Sequence, residues 1–165
     1  MSDTTATSAG ASDLREQLIA GLQEDLAREY KAIIQYVIFS QKLDGARYMD
    51  IAEELEVHAH QELDHAIAIA KQLDYFGAYP VHEPKPVEVS EENEGMLWAD
   101  LRAEDDTVAN YRQRIIQAQE AGEYALAEIL QEIIREEQDH QIDLASALGV
   151  VPDPRGRKDE TTKAS

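Results

Sequence analysis

Residues 55–73 read LEVHAHQELDHAIAIAKQL, and in them Leu55, Glu62, His65, Ile69 and Leu73 recur at helical spacing. Side chains three or four positions apart share one face of a helix, so this helix presents two ionisable groups among its leucines. A second stretch repeats the arrangement. Ile133, Glu137, His140 and Leu144 share a face, and Glu137-Gln138-Asp139-His140 matches Glu62-Leu63-Asp64-His65 as Glu-x-x-His. Two other apolar-periodic stretches carry one inward Glu each. The first is Leu22, Leu26, Glu29, Ile33, Tyr36; the second is Leu97, Leu101, Glu104, Val108, Tyr111, Ile115.

Punctuation residues set the limits of these helices. Asp13 with Glu16 reads as an N-cap and its box partner, so the first helix is expected from about Asp13 to about Leu43, where Asp44-Gly45 breaks it. The second is expected from about Ala46 to Phe76, with Gly77 as its C-cap. The segment from Gly77 to Val89 holds Pro80, Pro84 and Pro86, which forbid a helix and favour extended backbone. Ser90 can cap a third helix over about Glu91 to Ala121. Gly122 interrupts it, and a fourth runs from about Glu123 to Leu148 and stops at Gly149, with Pro152 and Pro154 beyond. The only β-branched alternation is the short Val87–Val89 stretch. These readings predict an all-α four-helix bundle over residues 12–149 with one long crossover between helices two and three, in up-down-down-up order. Residues 1–11 and 150–165 are polar or small and are expected to be disordered tails.

At 165 residues, 43% hydrophobic and 30% charged, the chain suits one globular domain. Its 34 acidic and 15 basic residues leave a net charge of -19, which argues against nucleic-acid binding through a basic face. Cys is absent, which excludes disulfides, thiolate-held metals and Cys nucleophiles. No apolar run approaches the roughly 20 residues of a membrane span, and the first residues lack the basic and apolar regions of a secretory signal. The expected location is cytoplasmic, with no membrane partner.

Four carboxylates and two imidazoles facing each other inside a bundle need compensation, since each buried, unpaired charge costs several kcal/mol by rough estimate. A pair of divalent cations supplies it: Glu29, Glu62, Glu104 and Glu137 balance two such ions. Positions i and i+3 project side by side, so Glu62 with His65, and Glu137 with His140, can meet one ion. Oxygen and imidazole donors suit iron or manganese. Glu29 lies 33 positions before Glu62, and Glu104 lies 33 before Glu137. Each half is thus a Glu helix followed by a Glu-x-x-His helix, which implies a pseudo-two-fold centre at mid-bundle.

The sequence resembles the bacterioferritins, within the ferritin-like di-iron proteins. Glu29-Tyr30-Lys31-Ala32-Ile33-Ile34-Gln35-Tyr36 is similar to their first-helix pattern, and Glu62 to His65 followed by Ala66 to the second. Met96-Leu97, Asp100-Leu101, Glu104 and Tyr111-Arg112 resemble the third helix; Arg135-Glu136-Glu137-Gln138-Asp139-His140 with Ile142-Asp143 resembles the fourth. The likeness spans about Leu14 to Leu148. It implies Glu62 and Glu137 as bridging ligands, Glu29 with His65 completing one metal and Glu104 with His140 the other. It further implies two iron ions per subunit, with manganese as the alternative, in a homo-oligomer. The implied reaction is ferroxidase: Fe(II) oxidised by O2 or H2O2, then stored as mineral. Two features depart from the family. Leu63 occupies the place of the haem-ligating Met, so haem is not expected by that route. Pro152, Pro154 and a polar tail stand where a short fifth helix would be, so a twelve-subunit shell or a dimer is expected over a 24-subunit cage.

Other readings compete. A rubrerythrin-like peroxidase or a manganese catalase would use the same ligands, although the absence of Cys excludes a fused rubredoxin. A mini-ferritin-like DNA- or partner-binding bundle is disfavoured by Glu137 and His140 on helix four. Tyr36 and Tyr111 could hydrogen-bond a ligand carboxylate or carry an electron but read more simply as core residues with satisfied hydroxyls. Trp98 reads as packing, and His58 as a solvated histidine at the bundle end rather than an accessory metal site; His60 and His82 receive no role.

Overall fold

In the computed structural model, residues 4–154 are described, with side chains over 13–154. Four helices make up the fold: α1 (Thr4–Lys42), α2 (Met49–Tyr75), α3 (Asn93–Glu120) and α4 (Tyr124–Leu148). A single 3₁₀ turn, Ala46–Tyr48, leads into α2. No strand occurs among the described residues.

The helix ends follow from local chemistry. At the end of α2 the Gly77 and Ala78 N–H groups bond back to the Asp74 and Leu73 carbonyls, both at 2.9 Å. At the end of α4, Gly149 takes a left-handed φ of 69°, which a side chain would resist. That turn lets Val150 N–H reach the Ala145 carbonyl at 2.9 Å. Ser90 acts one step earlier than expected: its hydroxyl accepts the Glu92 N–H at 3.1 Å and turns the chain just before α3, which starts at Asn93 instead of Glu91.

The first helix begins well before Asp13, which corrects the expected tail. Thr4 to Ala11 extend α1, so Asp13 is an interior residue and accepts a bond from the Gln17 amide at 2.9 Å. Ala6, Ala9 and Ala11 are strong helix formers. Lengthening a packed helix needs no new nucleus, so even a polar segment can follow it. Of the expected tail, residues 1–3 lie outside the described residues. At the other end, residues 150–154 fold back on α4: the Gln141 amide donates to the Asp153 carbonyl at 3.3 Å. Residues 155–165 lie outside the described residues.

Hydrogen bonds trace the topology. The segment after α2 lies along α1, with Val81 N–H on the Gln23 side chain at 2.7 Å, Lys85 N–H on the Ala27 carbonyl at 2.9 Å and Glu88 N–H on the Gln35 side chain at 2.9 Å. It therefore ascends beside α1 in the same direction. Asn93 then meets Asp44 at the upper end, through Asp44 N–H at 3.1 Å and the Asp44 carbonyl at 2.9 Å. The order is up-down-down-up, as the long crossover requires.

Two apolar clusters fill the interior. Leu18, Leu22, Leu26, Ile69, Leu73 and Leu130 belong to one, and Phe39, Leu55, Met96, Leu97, Leu101 and Leu144 to the other. Each fully buried side chain of this size contributes about 2 kcal/mol. The first joins the early part of α1 to the late part of α2, and the second joins the opposite ends. Between them lies a polar layer, sealed from water above and below.

Candidate metal centre

That layer holds all six residues singled out from the sequence. Glu29, Glu62, Glu104, Glu137, His65 and His140 are each at most 4% exposed. They come from α1, α2, α3 and α4, two of them from each Glu-x-x-His helix. The donor atoms fall into two groups, Glu29, Glu62, His65, Glu137 and Glu62, Glu104, Glu137, His140, with the atoms of each group within 4.8 Å of one another. Glu62 and Glu137 belong to both.

Both imidazoles aim Nδ1 inward. His65 Nδ1 lies 3.1 Å from Glu62, 3.1 Å from Glu137 and 3.6 Å from Glu29. His140 Nδ1 lies 3.1 Å from Glu62 and 3.2 Å from Glu137. The outer nitrogens are engaged as well. His140 Nε2 meets Gln61 Oε1 at 2.8 Å, and His65 Nε2 meets Glu136 Oε2 at 3.0 Å. Both acceptors take a proton from Nε2, so Nδ1 is the nitrogen left to face the centre, where its own proton is the one a cation would displace. Gln61 and Glu136 each directly precede the Glu of a Glu-x-x-His motif, and each serves the histidine of the other motif. Their position was in plain view, but only the packing of α2 on α4 reveals the pairing.

The tyrosines do more than fill the core. Tyr111 donates its hydroxyl to Glu29 and Tyr36 donates to Glu104, so each of these carboxylates is oriented from a neighbouring helix. The reading of His58 as solvated is also corrected. It is 1% exposed and stacks on His140 with ring centroids 4.0 Å apart, because α4 covers that face of α2. Its Nε2 faces Asp143 at 3.3 Å and Glu54 at 3.8 Å.

Electrostatics show how crowded the layer is. Burial, then repulsion from neighbouring carboxylates, drives the Glu29 and Glu104 carboxyls well above the usual range. Against the cost of burial, hydrogen bonds with Glu29, His140 and His65 hold Glu62 well below it. Burial alone would lower both histidines, but bonds to Glu137, Glu29 and Glu62 hold His65 far above its usual value. Bonds to Glu137 and Glu62 likewise raise His140 to about 10. By itself the layer retains protons on acids and imidazoles alike.

Glu104 Oε2 has no hydrogen bond, while Glu62 Oε1, both Glu137 oxygens and His140 Nδ1 lie only in ion-pair contacts of 3.1–3.2 Å that lack hydrogen-bond alignment. Lone-pair donors seldom stay unpaired in a dry interior. Mixed oxygen and nitrogen donors, converging at two adjoining points, fit a pair of divalent first-row cations.

Comparison with known proteins agrees with this fold. The ferritin-like domain family matches residues 19–152. A ferritin-like di-iron-carboxylate protein from Bacillus anthracis superposes with a TM-score of 0.79 at 30% identity, covering 82% of this chain and 97% of that one. A dodecameric, bacterioferritin-related thioferritin from Bacteroides fragilis shares the fold, with a TM-score of 0.76 at 24% identity over 86% of this chain and 93% of that one. The bacterioferritin of Desulfovibrio desulfuricans is 28% identical over 129 residues, 78% of this chain and 72% of its own. That of Brucella melitensis is 24% identical over 140 residues, 81% and 87% of the two chains. With its crossover bundle and this family match over most of its length, the chain belongs to the ferritin-like family.

Proposed function

We propose that this protein is a ferroxidase, oxidising Fe(II) at an intrasubunit di-iron centre with O2 or H2O2 for iron storage or detoxification. The observation that carries the reading is the convergence of the six donors into two groups sharing Glu62 and Glu137. In this reading Glu62 and Glu137, common to both groups, would serve both ions, with Glu29 and His65 holding one of them and Glu104 and His140 the other. A bound pair of Fe(II) ions supplies two electrons, which with two protons reduce H2O2 to two waters or O2 to H2O2. The chain's own part is geometric and electrostatic. The carboxylates neutralise the incoming charge, and Tyr111 and Tyr36 hold the terminal ones in place. Gln61 and Glu136 fix the tautomers. The apolar clusters on either side keep bulk water out.

The acidic surface, with a net charge of -19, draws cations toward the protein. The dodecameric assembly of the Bacteroides fragilis relative supports a homo-oligomer here, with a twelve-subunit shell as the preferred form. No helix among the described residues is long and apolar enough to cross a membrane.

Stopped-flow oxidation of Fe(II) tests the activity. Glu62→Ala and Glu137→Ala should each abolish the rapid phase while the circular dichroism stays helical. Parent-like rates in both variants would overturn the intrasubunit site. Native mass spectrometry with iron analysis completes the test, with two irons per chain in a large oligomer expected.

A further inference from the structure

The two halves of the centre are matched almost residue for residue at an interval of 75 positions. Glu29 corresponds to Glu104, Tyr36 to Tyr111, Glu62 to Glu137 and His65 to His140. The bridging candidates are common to both positions, and each terminal carboxylate receives a tyrosine hydroxyl. The symmetry breaks behind the histidines. Position 61 is Gln and position 136 is Glu. His65 Nε2 therefore faces a carboxylate at 3.0 Å, whereas His140 Nε2 faces a neutral amide oxygen at 2.8 Å.

We propose that Glu136 and Gln61 make the two metal positions inequivalent, with the Glu29–His65 position the tighter and more electron-rich. This rests on the reading of the six residues as a di-metal ligand set. A carboxylate accepting an imidazole N–H draws on the proton and raises electron density at the opposite nitrogen. It also adds negative charge to its own side of the centre. An amide oxygen accepts the same bond with no net charge, so it orients His140 and does little to its basicity. Glu136 and Gln61 are positioning residues, acting on the metal through the ring. A second mismatch falls on the same position: His58 stacks on His140, whereas the matching residue is Ile133. Cations entering the centre fill the Glu29–His65 position first, and the Glu104–His140 position completes the pair.

The experiment symmetrises the centre both ways. Gln61→Glu places a carboxyl side chain behind both rings, and Glu136→Gln places an amide behind both; Gln61→Glu/Glu136→Gln exchanges them. Anaerobic loading with ⁵⁷Fe(II) is read by Mössbauer spectroscopy, and Co(II) binding by calorimetry. The parent should bind two ions per chain and give two ferrous doublets of equal area. The difference between their quadrupole splittings should shrink in both single variants and return in the exchanged one. The first Co(II) step should weaken about 10- to 100-fold in Glu136→Gln, and the second should tighten comparably in Gln61→Glu. Unchanged splittings and step affinities in both folded single variants would overturn the inference while leaving the di-metal reading intact. Fewer than two ions bound by the parent would overturn that reading, and this inference with it.

Discussion

The Tyr111 hydroxyl, carried by α3, donates to the Glu29 carboxylate on α1, across the interface between the two halves of the chain. Tyr36 on α1 returns the favour to Glu104 on α3. Each half thus orients a buried carboxylate of the other. Removing one hydroxyl leaves that carboxylate free to swing. Tyr111→Phe and Tyr36→Phe are each expected to slow Fe(II) oxidation about 10-fold, a typical effect for a partner of a metal ligand. Stopped-flow absorbance checks this, and parent rates in both variants would reduce the hydroxyls to space-filling.

Metal uptake should depend steeply on pH. Glu29 and Glu104 are held protonated by burial first and by neighbouring carboxylates second, and His65 and His140 by their carboxylate partners against the cost of burial. A metal can take these donors only as the protons leave. Two divalent ions should therefore displace protons as they bind, and affinity should rise with pH. Calorimetry in buffers of different ionisation enthalpy counts the protons, and a count near zero would contradict the assignment.

Asp100 carries a pH-dependent cost. Burial pushes its carboxyl up to about 8 from an ordinary 3.8. Between those values the native state holds a proton that the unfolded state has released, so stability falls as pH rises through that window. Gln35 donates to its Oδ1 at 2.8 Å, a bond an amide oxygen can also accept. Asp100→Asn should therefore melt higher than the parent above pH 8, with the gap closing toward pH 4. A gap independent of pH in thermal melts would count against this account.

Gly21 sits mid-helix, where Gly is about 1 kcal/mol worse than Ala. A Cβ there would overlap the Arg114 guanidinium. Arg114 is 7% exposed and its Nε lies 2.6 Å from buried Asp25, so it has little room to retreat. Gly21→Ala is expected to destabilise by about 2 kcal/mol. The same change made in an Arg114→Ala background should be neutral or stabilising, by chemical denaturation. An equal loss in both backgrounds would exclude the guanidinium as the cause.

Periodicity made the bundle and the convergence of the six donors legible. Glu29, Glu62, His65, Glu104, Glu137 and His140 stand in register with leucines, and a residue in register with a core stripe has nowhere else to point. The crossover was equally visible, since three prolines preclude a helix. What was hidden depends on which residue of one helix comes opposite which of another. His58 is buried because α4 covers it, and Gln61 and Glu136 find their rings across a helix pair. No spacing within a single helix encodes such pairings. The early start of α1 is hidden for another reason: composition describes what a segment can bury, while an existing helix can extend into it without a new nucleus.

Each helix pair brings three of the six donors, and the segment from Gly77 to Glu92 is the tether that joins the pairs. A short tether of this kind keeps its ends at an effective concentration of roughly millimolar. The two halves therefore meet as an intramolecular event, whatever the dilution of the protein. A chain opened between Pro84 and Pro86 would become a heterodimer whose assembly, and with it the completeness of every centre, scales with concentration.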